Sequence, residues 1–184
     1  MWYAFGALAA LALIVIFYII STKNRFVVLG ENVENSGSQI GVLLKKRFDL
    51  IPNLVNTVKG YATHESGTLE KITSLRASIG SARTPQQTME LNNEMGQAIS
   101  RLLVAVEAYP ELKANANFLD LQGQLTALEN QIGMARQFYN DTVTKFNRLA
   151  KMFPSSMVAN MFHYQPKAYY AVPAEETAVP KVEF

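Results

Sequence analysis

The sequence predicts an all-α fold: an N-terminal transmembrane helix followed by an antiparallel four-helix bundle with long, coiled-coil-like helices. Three observations carry this. Trp2 to Ile20 (WYAFGALAALALIVIFYII) contains no charge, Pro, Asn or Gln. Two later stretches repeat apolar residues at alternating spacings of four and three, the pattern of a long helix packed along a seam. Strand signals are nearly absent: Val27-Val28-Leu29 and the tail are the only β-leaning pieces, and neither alternates for long.

The first element is the apolar run. As a helix at 1.5 Å per residue it spans roughly 28 Å, close to the ~30 Å hydrocarbon core of a bilayer. A cleaved signal peptide would have a basic start, a shorter apolar run and a small-x-small cleavage site. No Lys or Arg precedes this run, and Phe17-Tyr18-Ile19-Ile20-Ser21 offers no such site. We therefore assign residues 1–22 as an uncleaved anchor. Trp2, Tyr3 and Tyr18 suit the interfacial aromatic belts. Gly6 and Ala10, four apart, form a small-residue face that lets two such helices approach, although ordinary helix-forming alanine explains the same pattern. Lys23 and Arg25 follow at once, so the positive-inside rule puts the remainder in the cytoplasm. The absence of Cys suits either compartment.

Residues 23–37 (TKNRFVVLGENVENSG from Thr22) read as a linker, with an interruption expected between Gly30 and Gly37. The bundle follows over residues 38–162. Its first helix, about 38–81, steps through Leu44, Phe48, Ile51, Val55, Val58, Ala62, Glu65, Leu69, Ile72, Arg76 and Ile79, all apolar except Glu65 and Arg76. Leu54, Tyr61 and Leu75 widen the stripe. Pro52 predicts a kink, and Gly60 and Gly67 soften the middle. A second helix, about 85–109, opens on Thr84-Pro85 and presents Leu91, Met95, Ile99, Leu102 and Val106. The third, about 117–153, steps through Phe118, Leu121, Leu125, Leu128, Ile132, Ala135, Tyr139, Thr142, Phe146, Leu149 and Phe153. Asn117 and Asp120 resemble a capping box, and Pro154 ends the helix. A short helix, about 155–162, carries Met157, Val158 and Met161. Residues 163–184 have no period and read as an extended or disordered tail.

The net charge of +2 gives no argument for nucleic acid as a partner. The run Lys45-Lys46-Arg47 reads as a solvated helix face; the alternative is contact with anionic headgroups, weakened by its distance from the anchor.

Several segments resemble the LemA family. These are RFDLIPNLVNTVKGYATHE (Arg47 to Glu65), LEKITSLRA (Leu69 to Ala77), YPELKANANFLDLQ (Tyr109 to Gln122), LENQIGMARQFYNDTVTKFN (Leu128 to Asn147), FPS (Phe153 to Ser155) and the ending PKVEF. The resemblance covers nearly the whole chain, with the motifs in order. It implies a single-pass protein of the bacterial inner (plasma) membrane carrying a long-helix bundle. It implies no activity. Some members of that family take part in shaping intracellular membranes, and others are encoded next to membrane proteases.

Catalytic patterns are missing. His64-Glu65 lacks the second His of H-E-x-x-H, no G-x-S-x-G or Walker A run occurs, and no Glu-x-x-His pair suggests a carboxylate-bridged metal in a bundle. With two histidines in the chain, His64 and His163, we expect no enzyme, metal or cofactor. The candidate site is the set of polar groups in the seams: Glu65, Arg76, Glu129, Asn130, Arg136, Asn140, Thr142 and Asn147. They read either as a polar layer that fixes helix register or as a partner site. A buried charge needs a partner, so Arg76 is expected to pair with Glu129 or Glu65. Gly6, Ala10, Leu54, Tyr61, Leu75 and Leu103 are candidate oligomer contacts if they stay exposed. The sequence thus points to a non-enzymatic, membrane-anchored scaffold that self-assembles, with the lipid bilayer and a second copy of itself as partners. The alternatives are an adaptor for another membrane protein, such as a protease, and a membrane-shaping coat.

Overall fold

The computed structural model describes residues 2–61 and 65–170, and among these it is helical with no strand. Its elements are α1 (Trp2–Lys59), α2 (Ser66–Ser81), α3 (Pro85–Ala105), a 3₁₀ turn (Val106–Ala108), α4 (Pro110–Lys113), α5 (Ala116–Lys151) and α6 (Ser155–Met161). Among the described residues one helix, α1, is long and apolar enough to cross a membrane. Its apolar stretch is exposed, with Trp2 at 92% and Phe17 at 75%. An exposed apolar surface of this size, left largely uncovered by the other described residues, suits contact with lipid.

The expected interruption at 30–37 is absent: α1 runs through the linker unbroken. Each glycine costs about 1 kcal/mol of helix propensity, and packing outweighs it here. Phe26, Val33 and Ser36 are buried on this stretch. A Cβ on Gly30 would lie 3.8 Å from the Phe146 ring, and one on Gly37 would lie 3.6 Å from the Tyr139 ring. The glycines therefore point at aromatic side chains of α5 rather than marking a loop.

The helix expected over 38–81 is two helices. α1 ends at Lys59, and the Tyr61 N–H turns back to the Val58 carbonyl at 3.0 Å. α2 starts at Ser66. Gly60 supplies the stop, while Pro52 lies inside α1. Ala62 and His64 fall outside the described residues. The helix expected over 85–109 gives way at Val106 to the 3₁₀ turn, and Pro110 opens α4 instead of closing a helix. Thr84 caps α3 as expected, accepting from the Gln87 N–H. The cap of α5 is Asn115, not Asn117: its Oδ1 accepts from the N–H groups of Asn117 (2.9 Å) and Phe118 (3.2 Å). Asp120 instead accepts from Gln124. The expected face of α5 is buried or half-buried from Phe118 to Leu149, but Phe153, past the helix end, is 78% exposed. On α6 only Val158 of the expected face is buried; Met157 and Met161 are exposed.

The chain divides into two compact units. Unit 1 comprises Met1–Gln39 and Arg136–Tyr169, and unit 2 comprises Ile40–Ala135 and Tyr170–Phe184. The core of unit 1 is Phe26, Val33, Val143, Phe146 and Ala159, with Leu29, Tyr139, Leu149 and Tyr164 against it. Phe26 stacks on Tyr164 at 4.4 Å and meets Phe146 edge-on at 5.5 Å, both favoured aromatic geometries. His163, at φ 57°, closes α6, and the Tyr164 N–H reaches the Ala159 carbonyl at 2.9 Å. In unit 2, Ile51, Leu54 and Val58 of α1 share one core with Leu69 and Ile72 of α2, Met95 and Ile99 of α3, and Phe118 and Leu125 of α5.

Candidate functional site

The dominant polar feature of unit 2 is a cation that the charge pattern disguises. Lys45 is solvated and paired with Asp49 one turn on, and Lys46 is exposed. Arg47, next in the run, is 1% exposed. Its Nη1 donates to Glu129 Oε1 at 3.0 Å and Oε2 at 3.3 Å. Its Nη2 donates to both the backbone carbonyl and Oδ1 of Asn92, each at 2.8 Å. Asn92 completes the set by donating from Nδ2 to the Thr88 carbonyl at 2.8 Å. The planar guanidinium thus joins α1, α3 and α5 through charge-assisted bonds. Gly96 makes room: a Cβ there would come within 3.3 Å of Arg47 Nη1 and 3.4 Å of Glu129 Oε2.

The expected partner of Glu129 is therefore corrected. Arg76 pairs with neither Glu129 nor Glu65; its guanidinium carbon lies 4.4 Å from the Phe48 ring centroid, a cation–π contact. The buried Nε of Arg76 has no hydrogen-bond partner. The difference lies in the register of α1. Stepping by three from Leu44 reaches Arg47, then Ile51, Leu54 and Val58, and the latter four are fully buried. Stepping by four reaches Phe48 and Val55, which are only half-buried. A charged residue at a seam position was the available signal.

The other seam candidates scatter. Glu65 accepts from Thr68 Oγ1 at 3.5 Å, Asn130 is exposed, and Arg136 and Asn140 are half-buried. Thr142 is buried, with its hydroxyl returned to the Phe138 carbonyl at 2.8 Å. Asn147 does something the sequence did not announce. Its Oδ1 accepts from the Lys167 N–H at 2.7 Å and its Nδ2 donates to the Lys167 carbonyl at 2.9 Å. The Tyr139 hydroxyl adds a bond to the Ala168 carbonyl at 3.2 Å. These bonds hold residues 164–169, part of the tail expected to be extended or disordered, within unit 1; the remainder of the tail, 171–184, lies outside the described residues. Burial raises the Tyr139 pKa above its ordinary value. Hydrogen bonds from Thr144 first, then Asn147, lower that of Tyr169.

Of the candidate oligomer contacts, Leu54 and Leu75 are buried in the core of unit 2 and Leu103 packs against it. Tyr61 stays 43% exposed and accepts from Asn115 Nδ2 at 3.1 Å. Gly6 and Ala10 are exposed. Among the described residues no group of three or more His, Asp or Glu is arranged to hold a metal ion.

A sequence profile of the LemA family matches residues 36–184, most of the chain. The chain belongs to the LemA family. The match begins past the apolar stretch and takes in Arg47, Asn92, Glu129 and Asn147. Protein LemA of Metamycoplasma hominis is 27% identical to this LemA-family chain over 144 residues, covering 78% of it and 66% of the relative. Magnetosome protein MamQ 2 of Paramagnetospirillum magneticum is 22% identical over 185 aligned positions, 85% of this chain and 67% of that protein. MamQ 1 of the same organism matches to the same extent. The LemA-family chain thus spans about two thirds of the length of these relatives.

Proposed function

We propose that this chain is a non-enzymatic, membrane-anchored helical scaffold that self-assembles at the bacterial inner membrane, with its helical domain in the cytoplasm. The observation that carries the reading is the continuity of α1. One helix holds the exposed apolar stretch Trp2–Ile20 and, without a break, the core residues Phe26, Val33, Ile51, Leu54 and Val58. A helix joined this way ties unit 1, through Phe26 and Val33, to the bilayer more firmly than a flexible linker would. The sharing of one core by α1, α2, α3 and α5 supports an antiparallel four-helix bundle in unit 2. The buried Arg47 cluster then acts as a register lock rather than a reactive site, as single polar residues do in coiled-coil seams. Large apolar side chains left exposed on unit 2, Val104, Leu119 and Met134, supply area for association between copies.

Extraction in mild detergent followed by mass photometry tests the reading. A discrete multimer is expected. A monomer that co-purifies with a second membrane protein would replace the scaffold by an adaptor. A heterogeneous, lipid-bound coat would favour membrane shaping, the reading to which the likeness to proteins named for magnetosomes lends support. Cysteine labelling of E111C from each side of the membrane tests the cytoplasmic placement, against a background free of native Cys.

A further inference from the structure

Unit 1 ends in a surface that is both apolar and basic. Met152, Phe153, Met157 and Met161 are 55–78% exposed. Exposed apolar side chains scattered singly need no explanation, but these four come from one short stretch around the α5–α6 turn. Its position is defined by contacts with α1. Along the two helices, falling α1 numbers meet rising α5 numbers: Gly37 faces Tyr139, Gly30 faces Phe146, and Tyr18, Ser21 and Thr22 line a cleft of about 490 Å³ with Leu149, Met152 and Phe153. Lys23 Nζ of α1 sits 4.8 Å from the ring centroid of Phe162, just past the end of α6. The turn and α6 therefore lie level with residues 18–26 of α1.

That level is where α1 leaves the apolar stretch. Lys23 is about 4.5 Å and Phe26 about 9 Å along the helix from Ile20. The headgroup layer of one leaflet is roughly 5–8 Å deep. The charge of the surface matches that layer. Arg25, Lys145 and Arg148 line the same cleft, Lys151 follows one turn on, and neither 1–30 nor 142–170 contains an Asp or Glu.

We propose that this end of unit 1 is seated in the bilayer surface. Met152, Phe153, Met157 and Met161 enter the headgroup–acyl boundary, and Arg25, Arg148 and Lys151 bind the phosphates of anionic lipids. The inference rests on the reading of Trp2–Ile20 as a membrane span. It gives the protein a second membrane contact beside its anchor, of the kind interfacial amphipathic helices make.

The test uses the full chain in nanodiscs, spin-labelled one site at a time at F153C, M157C and M161C. These side chains are exposed, so folding is preserved. L11C serves as the lipid reference and E34C, about 21 Å past Ile20 along α1, as the aqueous one. Accessibility to oxygen and to a neutral nickel chelate is read by power-saturation EPR. In discs of phosphatidylcholine and phosphatidylglycerol in equal parts, the three labels are expected to give oxygen-to-nickel ratios closer to L11C than to E34C. The ratios should fall in phosphatidylcholine alone. Ratios like that of E34C, with L11C lipid-like, would overturn the inference and leave the anchor standing; an aqueous L11C would overturn the anchor itself. Labels shielded from both reagents would mean a protein occupant, which also overturns it. Equal ratios in the two lipid compositions would remove the anionic-lipid part.

Discussion

Glu129→Ala is expected to destabilise unit 2 more than Arg47→Met, although both break the same ion pair. The reason is the asymmetry of burial. The side chain of Arg47 is 1% exposed and that of Glu129 is 27% exposed. Removing the carboxylate strands a cation out of reach of water, and only the two Asn92 acceptors remain to it. Stranding a buried charge costs about 3–5 kcal/mol, and Asn92 holds the value to the lower end, about 3 kcal/mol. Removing the cation leaves a carboxylate that water still reaches and the Asn92 Oδ1 acceptor without its donor, together about 1–2 kcal/mol, and the methionine stem refills most of the space. For a chain of this size these values correspond to melting shifts of about 6–12 °C and 2–8 °C. Thermal unfolding of the full chain in detergent, followed by circular dichroism at 222 nm, reads both. The double variant Arg47→Met/Glu129→Leu should recover most of the loss, because an apolar replacement of a buried pair is often neutral. A larger loss for Arg47→Met, or under about 1 kcal/mol for Glu129→Ala, would refute the burial argument.

Further outcomes follow from the same geometry. Gly123→Ala, where a Cβ meets nothing within 4 Å, should stabilise by about 0.5–1 kcal/mol, while Gly96→Ala should gain nothing because its Cβ crowds Arg47 and Glu129; paired melting curves check the contrast. Asn147→Leu removes both bonds to Lys167 and leaves the N–H and carbonyl of that half-buried residue unpaired, so a loss of about 1 kcal/mol and faster tryptic cleavage after Lys167 are expected. Tyr169 should ionise below its ordinary pKa and Tyr139 above it. Because Thr144 is the largest cause for Tyr169, Thr144→Val should move that phenol back up, as read by carbon-13 NMR of labelled tyrosines.

Much of this protein was legible because its signals are local and periodic. An unbroken apolar run of bilayer length, the α5 face from Phe118 to Leu149 and the Thr84-Pro85 helix start need no knowledge of any neighbour. The site was less legible, since two registers on α1 satisfy the same three–four stepping. A pattern that counts apolar residues prefers Phe48 to Arg47, yet the structure buries Arg47 because Asn92 and Glu129, 45 and 82 residues away in sequence, satisfy its guanidinium. Likewise, Gly30 and Gly37 look like a linker until the rings of Phe146 and Tyr139 lie against them.

The sequence by itself thus determined the helical class, the apolar N-terminal run of bilayer length and the family, all properties of short-range pattern. Only the tertiary structure decided that the apolar N-terminal helix continues to Lys59, that Arg47 is the buried cation, that Asn147 holds the segment past α6, and that the Met- and Phe-rich turn lies level with the end of the apolar run. Each of these depends on which distant side chains meet. Pairing energies of a few kcal/mol between remote residues outweigh local preferences of about 1 kcal/mol.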